Sequence, residues 1–167
     1  MPFTVQTLFS NIKMTTDLRE GVHNADLVIE AVDEVLETKQ QLFAKIEELT
    51  HADTILATNS HALTIADISR DMVNRDQFGG VQFYHPVPIT KVAKIIKCIT
   101  TSQATFERLE QWAVAMRKET VRCIDTPDFV IKHDARQAKK TRLLFPYMME
   151  ALRMLEQGGK TFQEIGT

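Results

Sequence analysis

Residues 26–49 read DLVIEAVDEVLETKQQLFAKIEEL. The first seven, DLVIEAV, form a short apolar run with an acid at its head, the pattern of a strand buried on both faces of a parallel sheet. From Leu36 the period becomes helical. Leu36, Phe43, Ile46 and Leu49 share one face, while Glu37, Lys39, Gln40, Lys45 and Glu48 lie largely on the other. A strand running directly into an amphipathic helix is half of a βαβ unit, and the class it announces is α/β.

The neighbouring segments repeat the alternation. Downstream come a strand at TILATN (54–59), a short helix around TIADIS (64–69), a strand at GGVQFY (79–84) and the apolar run VAKIIKCI (92–99). Thr101 or Ser102 then caps a helix whose apolar face carries Phe106, Leu109, Ala113 and Met116. Upstream, NIKMTT (11–16) reads as a short strand and DLREGV (17–22) as a helical turn begun by Asp17. Strands alternating with helices at these lengths predict a parallel sheet. Past DTPDFVI (125–131) the texture changes. HDARQAKKT (133–141) is a charged insert, RLLFPYMMEALRMLEQGG (142–159) a helix ended by Gly158 and Gly159, and TFQE (161–164) has capping-box spacing. The expected divisions are 1–132, 133–141 and 142–167.

Composition narrows the functional classes. A chain of 167 residues, 44% hydrophobic, can bury one sizeable core. With 20 basic against 22 acidic residues, net −2, it shows no electrostatic footprint for nucleic acid or an anionic membrane surface. Cys98 and Cys123 are too few for a disulfide scaffold and read as reduced, buried thiols. No metal site is expected: His23 and His51 read as solvated, His133 opens the charged insert, and none stands in metal spacing with the cysteines. Met148, Met149 and Met154 read as core side chains. No apolar run approaches the roughly 18 residues of a membrane span. MPFTVQTLFSNIK lacks arginine and an apolar targeting core, and EIGT is not a peroxisomal address, so cytoplasm is the default location.

Taken in order, NADLVIEAVDEVLETKQQLFAKIEE, ILATNS, FYHPVPITKV, TSQATFE, DTPDFVI and RLLFPYMMEALRMLEQG resemble the L-3-hydroxyacyl-CoA dehydrogenase family over about residues 8–165. The resemblance implies a doubly wound, Rossmann-like NAD-binding domain followed by a helical domain. It implies NAD-dependent oxidation of an L-3-hydroxyacyl-CoA in fatty-acid β-oxidation, with hydride leaving C3 while a histidine takes the hydroxyl proton. It also makes the mitochondrial matrix an alternative location.

The same comparison shows where the chain departs from the family. Gln82 stands at the family's catalytic histidine, Lys94 at the glutamate that orients it, His61 at the serine that bonds the substrate oxygen, and Lys132 at an asparagine. His85 stands at a second family asparagine, just before the first proline. Glutamine has no titratable nitrogen, which alone forfeits the roughly 10²–10⁴-fold that general-base catalysis supplies. Ala31, Glu34, Lys39 and Asn59 match family positions near the nicotinamide and its ribose. No G-x-G-x-x-G occurs, and the Gly79–Gly80 pair precedes a strand where a phosphate loop would follow one.

The expectation is therefore an incomplete doubly wound sheet lacking its glycine-rich first βαβ unit. NAD binding is expected to be weak, the acyl-CoA substrate follows from the family only, and the chain is expected to be inactive, a pseudoenzyme or truncated product. The alternatives are an interaction module pairing with an intact relative, or an active dehydrogenase using His61 or His85. DLVIEAV is expected to be an open sheet edge beside Leu27, Ile29 and Val32, inviting self-association.

Overall fold

The computed structural model describes residues 9–125 together with Met149, Glu150 and Arg153. Helix α1, Leu18–Val22, starts where the Asp17 carboxylate accepts from the N–H groups of Arg19 and Glu20 at 2.9 and 3.4 Å. Strand β1 is Leu27–Glu30, helix α2 Leu36–Leu49 and strand β2 Ile55–Thr58. Helix α3, Ile65–Ile68, is capped by Thr64. A 3₁₀ turn at Arg75–Gln77 leads into β3, Phe78–Phe83. Then follow β4, Val92–Lys97, α4, Gln103–Ala115, and β5, Glu119–Ile124.

The five strands lie side by side in chain order, β1-β2-β3-β4-β5. β1, β2 and β3 are mutually parallel, β3 and β4 antiparallel, and β4 and β5 parallel. The sheet is α/β and Rossmann-like, but it is not wholly parallel as the alternation predicted. The reversal has a plain cause. A parallel return needs a crossover of roughly a dozen residues or more, and only residues 84–91 separate β3 from β4. In that loop Ile89 and Thr90 N–H both donate to Pro86 O, at 3.1 and 2.9 Å. Lys118 ties the loop down by donating from Nζ to Val87 O and, at 2.7 Å, to Thr90 O.

Other expectations need correction. NIKMTT is not a strand: Lys13 pairs with Glu20 at 2.5 Å and Thr15 donates to the same carboxylate at 2.6 Å, folding the segment onto α1. Such local side-chain bonds compete with a strand ladder. β1 ends at Glu30, and its Leu27, Val28 and Ile29 are half-buried because it is the outermost strand. Gly79 and Gly80 lie inside β3 instead of before a strand. Met116 is the C-cap of α4 and 39% exposed, not core. Of the two expected cap candidates Ser102 caps α4, and the buried Thr101 hydroxyl donates to Phe78 O at 2.8 Å. Met149 is 48% exposed, so it does not line a core. The charged insert, Met148, Met154, the terminal helix beyond Met149, Glu150 and Arg153, and the TFQE cap fall outside the described residues.

Each face of the sheet holds a core. On one, Phe43 and Ile46 of α2 and Ile65 and Ile68 of α3 pack on Leu56, Phe78 and Ile96. On the other, Phe106, Leu109 and Ala113 of α4 pack on Ile55, Val81 and Ile95. The glycine pair serves both. A Cβ on Gly79 would stand 2.7 Å from Leu109 Cδ1, and one on Gly80 would strike Ile65 Cδ1. Cys98 and Cys123 are free and buried. Past α4 the chain turns through Arg117, whose φ of 59° is left-handed, with Lys118 N–H donating to Ala113 O at 3.0 Å.

Candidate functional site

Three parallel strands deliver their carboxyl ends to one rim of the sheet; the loops after them carry Ala31, Glu34, Asn59, His61 and His85, while Lys39 comes from α2, Gln82 from the end of β3 and Lys94 from the start of β4. At the base lies a buried ion pair. Glu30 closes β1 with a side chain fully buried; Lys39, from the first turn of α2, is 1% exposed and reaches Glu30 Oε1 at 2.6 Å. Lys39 therefore does not belong to a solvated helix face. Its ammonium also donates to Val32 O at 3.2 Å and meets Glu34 Oε2 at 3.2 Å. Glu30 is satisfied in turn by Val32 N–H at 2.6 Å and the Thr58 hydroxyl at 2.7 Å. Two charges out of water are tolerable only with this degree of pairing.

Glu34 stands above that pair. Its Oε1 accepts from the N–H groups of His61, Ala62 and Leu63 at 3.0, 2.9 and 3.3 Å, and from the Ser60 hydroxyl. Burial pushes the carboxyl up, but the Ser60 hydroxyl, the Ala62 and Leu63 N–H groups and Lys39 together bring it down to about 2. Asn59 links the strands: its N–H donates to Glu30 O at 2.9 Å and its Oδ1 accepts from Phe83 N–H at 3.2 Å. Ala31 lies exposed just past β1. Three of the four expected cofactor positions thus hold their own loops in place.

Gln82 and Lys94 face one another as partners across β3 and β4. The His61 ring comes down against them, its Nδ1 on the Gln82 side-chain amide. The structure therefore gathers Gln82, Lys94 and His61, which the resemblance placed at catalytic positions, while Lys132 falls outside the described residues. Gln82 is 6% exposed and its Oε1 has no hydrogen-bond partner. Lys94 makes no ion pair among the described residues; its Nζ sits 5.3 Å from the Tyr84 ring centroid. The His61 imidazole is held below its ordinary range by burial first. Glu34 opposes this, and Lys94, His85 and Lys39 reinforce it. His85 is exposed in the loop between β3 and β4. A neutral imidazole against an amide is not an acid–base pair.

Sequence reasoning missed Glu30, Thr58, Ser60 and Asp125. An acid inside an apolar run was the available signal for Glu30, because such a group needs a buried cation. Asp125, which opens the DTPDFVI motif, accepts from Ile65 and Ala66 N–H at 2.9 and 2.7 Å and fastens the start of α3 to the end of β5.

A dinucleotide requires a helix N-terminus and glycine backbone for its pyrophosphate. Here the α3 N–H groups are taken by Asp125 and Thr64 and those of the preceding turn by Glu34. The α2 N-terminus has no side-chain cap, but none of the three strand-to-helix turns contains the glycine that would let a pyrophosphate approach the backbone. The described residues do not fit a pyrophosphate. Nor do they contain a group of three or more His, Cys, Asp or Glu side chains placed to hold a metal, or a helix long and apolar enough to cross a membrane.

Comparison with known proteins agrees with the fold. The family model described as "3-hydroxyacyl-CoA dehydrogenase, NAD binding domain" matches residues 3–126. Human mitochondrial hydroxyacyl-coenzyme A dehydrogenase is 38% identical over 163 residues, covering 98% of this chain and 49% of the human protein. A Caenorhabditis elegans protein named as a probable 3-hydroxyacyl-CoA dehydrogenase is 38% identical over 161 residues, covering 96% and 49%. Among solved structures, FadB2 of M. tuberculosis superposes with a TM-score of 0.83 at 28% identity, covering 95% of this chain and 53% of that one. The chain spans about half the length of the curated relatives it matches.

Proposed function

The chain belongs to the 3-hydroxyacyl-CoA dehydrogenase family, and from that premise we propose that it carries the later part of the family's NAD-binding domain in a catalytically silent form. The observation that carries the reading is Gln82. It occupies the carboxyl end of β3, within contact of His61 and opposite Lys94, and an amide cannot take a hydroxyl proton. Lys94 beside it would raise the energy of any imidazolium formed there by like-charge repulsion. NAD is the family's cofactor and would supply the hydride acceptor when bound. With no fit for its pyrophosphate among the described residues, the reading includes no hydride step. The acyl-CoA substrate is carried from the family in the same way.

The test is direct. The full chain, given NAD and L-3-hydroxybutyryl-CoA, is expected to form no NADH above a protein-free control; sustained turnover overturns the reading. One observation favours a second reading. His61 brings an imidazole against Gln82 at the family's catalytic position, so any turnover found should vanish in His61→Ala if the base has been relocated. Location is carried as cytoplasmic, with the matrix the alternative that the human relative's mitochondrial name supplies; subcellular fractionation separates the two.

A further inference from the structure

We propose that the rim of the sheet binds a small carboxylate, held between the Lys94 ammonium and the Gln82 amide with His61 alongside. The proposal rests on the reading of this site as silent, since a ligand held here is bound and not transformed. Its first support is the contrast between two lysines of the same rim. Lys39 has two carboxylates, Glu30 and Glu34, at 2.6 and 3.2 Å. Lys94 has none among the described residues, and only the face of Tyr84 attends it. A half-buried ammonium on a rigid strand without an anion is a position that an anion improves.

The second support is Gln82. It is a buried side chain, 6% exposed, with one polar atom of its amide left without a partner. Buried polar groups are ordinarily satisfied, so an orphan of this kind calls for an explanation. The oxygen and nitrogen of an amide are assigned from their surroundings. When a neutral His61 carries its proton on Nδ1, the Gln82 carbonyl accepts it, and the amide N–H groups become the pair without a partner. Two donors, an amide and an ammonium, then stand on directly opposed residues of β3 and β4. A planar two-oxygen anion matches such a pair.

The third support is the surrounding charge. Three basic side chains, Lys94, His85 and Lys39, act on His61 against the one acid Glu34. The nearest acid, Glu34, cannot neutralise Lys94: one of its oxygens receives the Ser60–Leu63 turn and the other meets Lys39. A neutral ligand gains less from this arrangement than an anion does, and a dication is repelled. The competing explanation is internal, with Lys94 swinging onto the Gln82 carbonyl and closing the site.

The experiment follows side-chain resonances of isotope-labelled full chain as sodium acetate replaces sodium chloride at constant ionic strength. Gln82 side-chain amide and Lys94 ε-methylene signals should shift saturably, with a dissociation constant in the millimolar range. Lys94→Gln should weaken binding roughly tenfold or more, about 1.4 kcal/mol, while Lys94→Arg and the surface change Lys45→Gln should not. Absence of saturable shifts in the wild-type chain overturns the proposal, and so does unchanged binding in a folded Lys94→Gln chain. If Lys94→Gln does not fold, loss of binding in Lys94→Arg decides against it. Turnover is read separately: acetate binding with dehydrogenase activity sinks the silent reading only, whereas no binding with no activity sinks this proposal only.

Discussion

Glu34 makes a single carboxylate responsible for the shape of a loop. Its folded-state value of about 2 against an ordinary 4.5 means that the folded state prefers the ionised form. The contribution is therefore fully present above pH 4.5 and fades as pH falls from there through about 2. Because the side chain is 36% exposed, screening reduces the effect to the order of 1 kcal/mol. Glu34→Gln should lower stability by that amount at neutral pH and flatten the acid limb below pH 5, as followed by denaturation at a series of pH values. At the neighbouring residues, Gln82→His combined with Lys94→Glu should still give no NADH formation, because restoring a base supplies no cofactor cradle. Absorbance above the unmodified chain would contradict this. The residues of the rim were legible as positions but not as partners. The alignment of motifs found Gln82, Lys94 and His61, yet Lys39 read as a surface lysine because helical periodicity carries no information about what lies under the helix. Glu30, two strand residues past Val28, is what draws it inward.

Among the elements, β1 and α2 are joined through the Glu30–Lys39 pair, and the two ends of that pair cannot be altered separately without cost. Lys39→Ala should lose about 3–5 kcal/mol by leaving Glu30 buried and unpaired. Lys39→Met combined with Glu30→Gln should lose less than Lys39→Ala alone, as chemical denaturation of the set will show. Gly80→Ala should cost about 1–3 kcal/mol, since the added methyl meets Ile65 with Ile96 behind it. β1 leaves one side unpaired among the described strands, so its amides at 28–30 should exchange faster than those at 55–58 in β2, whose residues are all buried. Equal protection would show that the edge is covered. Period and caps made several elements legible: α2 occupies the predicted Leu36–Leu49, and Asp17 starts α1 as expected. The direction of β4 was legible only from the length of the loop before it, not from the strand itself. VAKIIKCI has the same apolar texture whichever way it runs, and only the brevity of residues 84–91 and the turn at Pro86 decide it. NIKMTT failed because a polar segment of strand length can satisfy itself on its own helix.

At the level of the molecule, half the length of its relatives yields a sheet with both faces covered by helices and one family of residues gathered at a rim. Calorimetry of the full chain should find no saturable heat with millimolar NAD; a micromolar dissociation constant would require a pyrophosphate site outside the described residues. Sedimentation will show whether the β1 edge draws a second chain, with a concentration-independent monomer as the contrary result. The strand order carries a further consequence. Among the described residues every strand pairs only with those next to it in sequence, β1 with β2 through to β4 with β5. No later strand must be inserted between two earlier ones. During synthesis, each new strand emerging from the ribosome finds its docking place already built and vacant, so these five strands can assemble in the order in which they are translated.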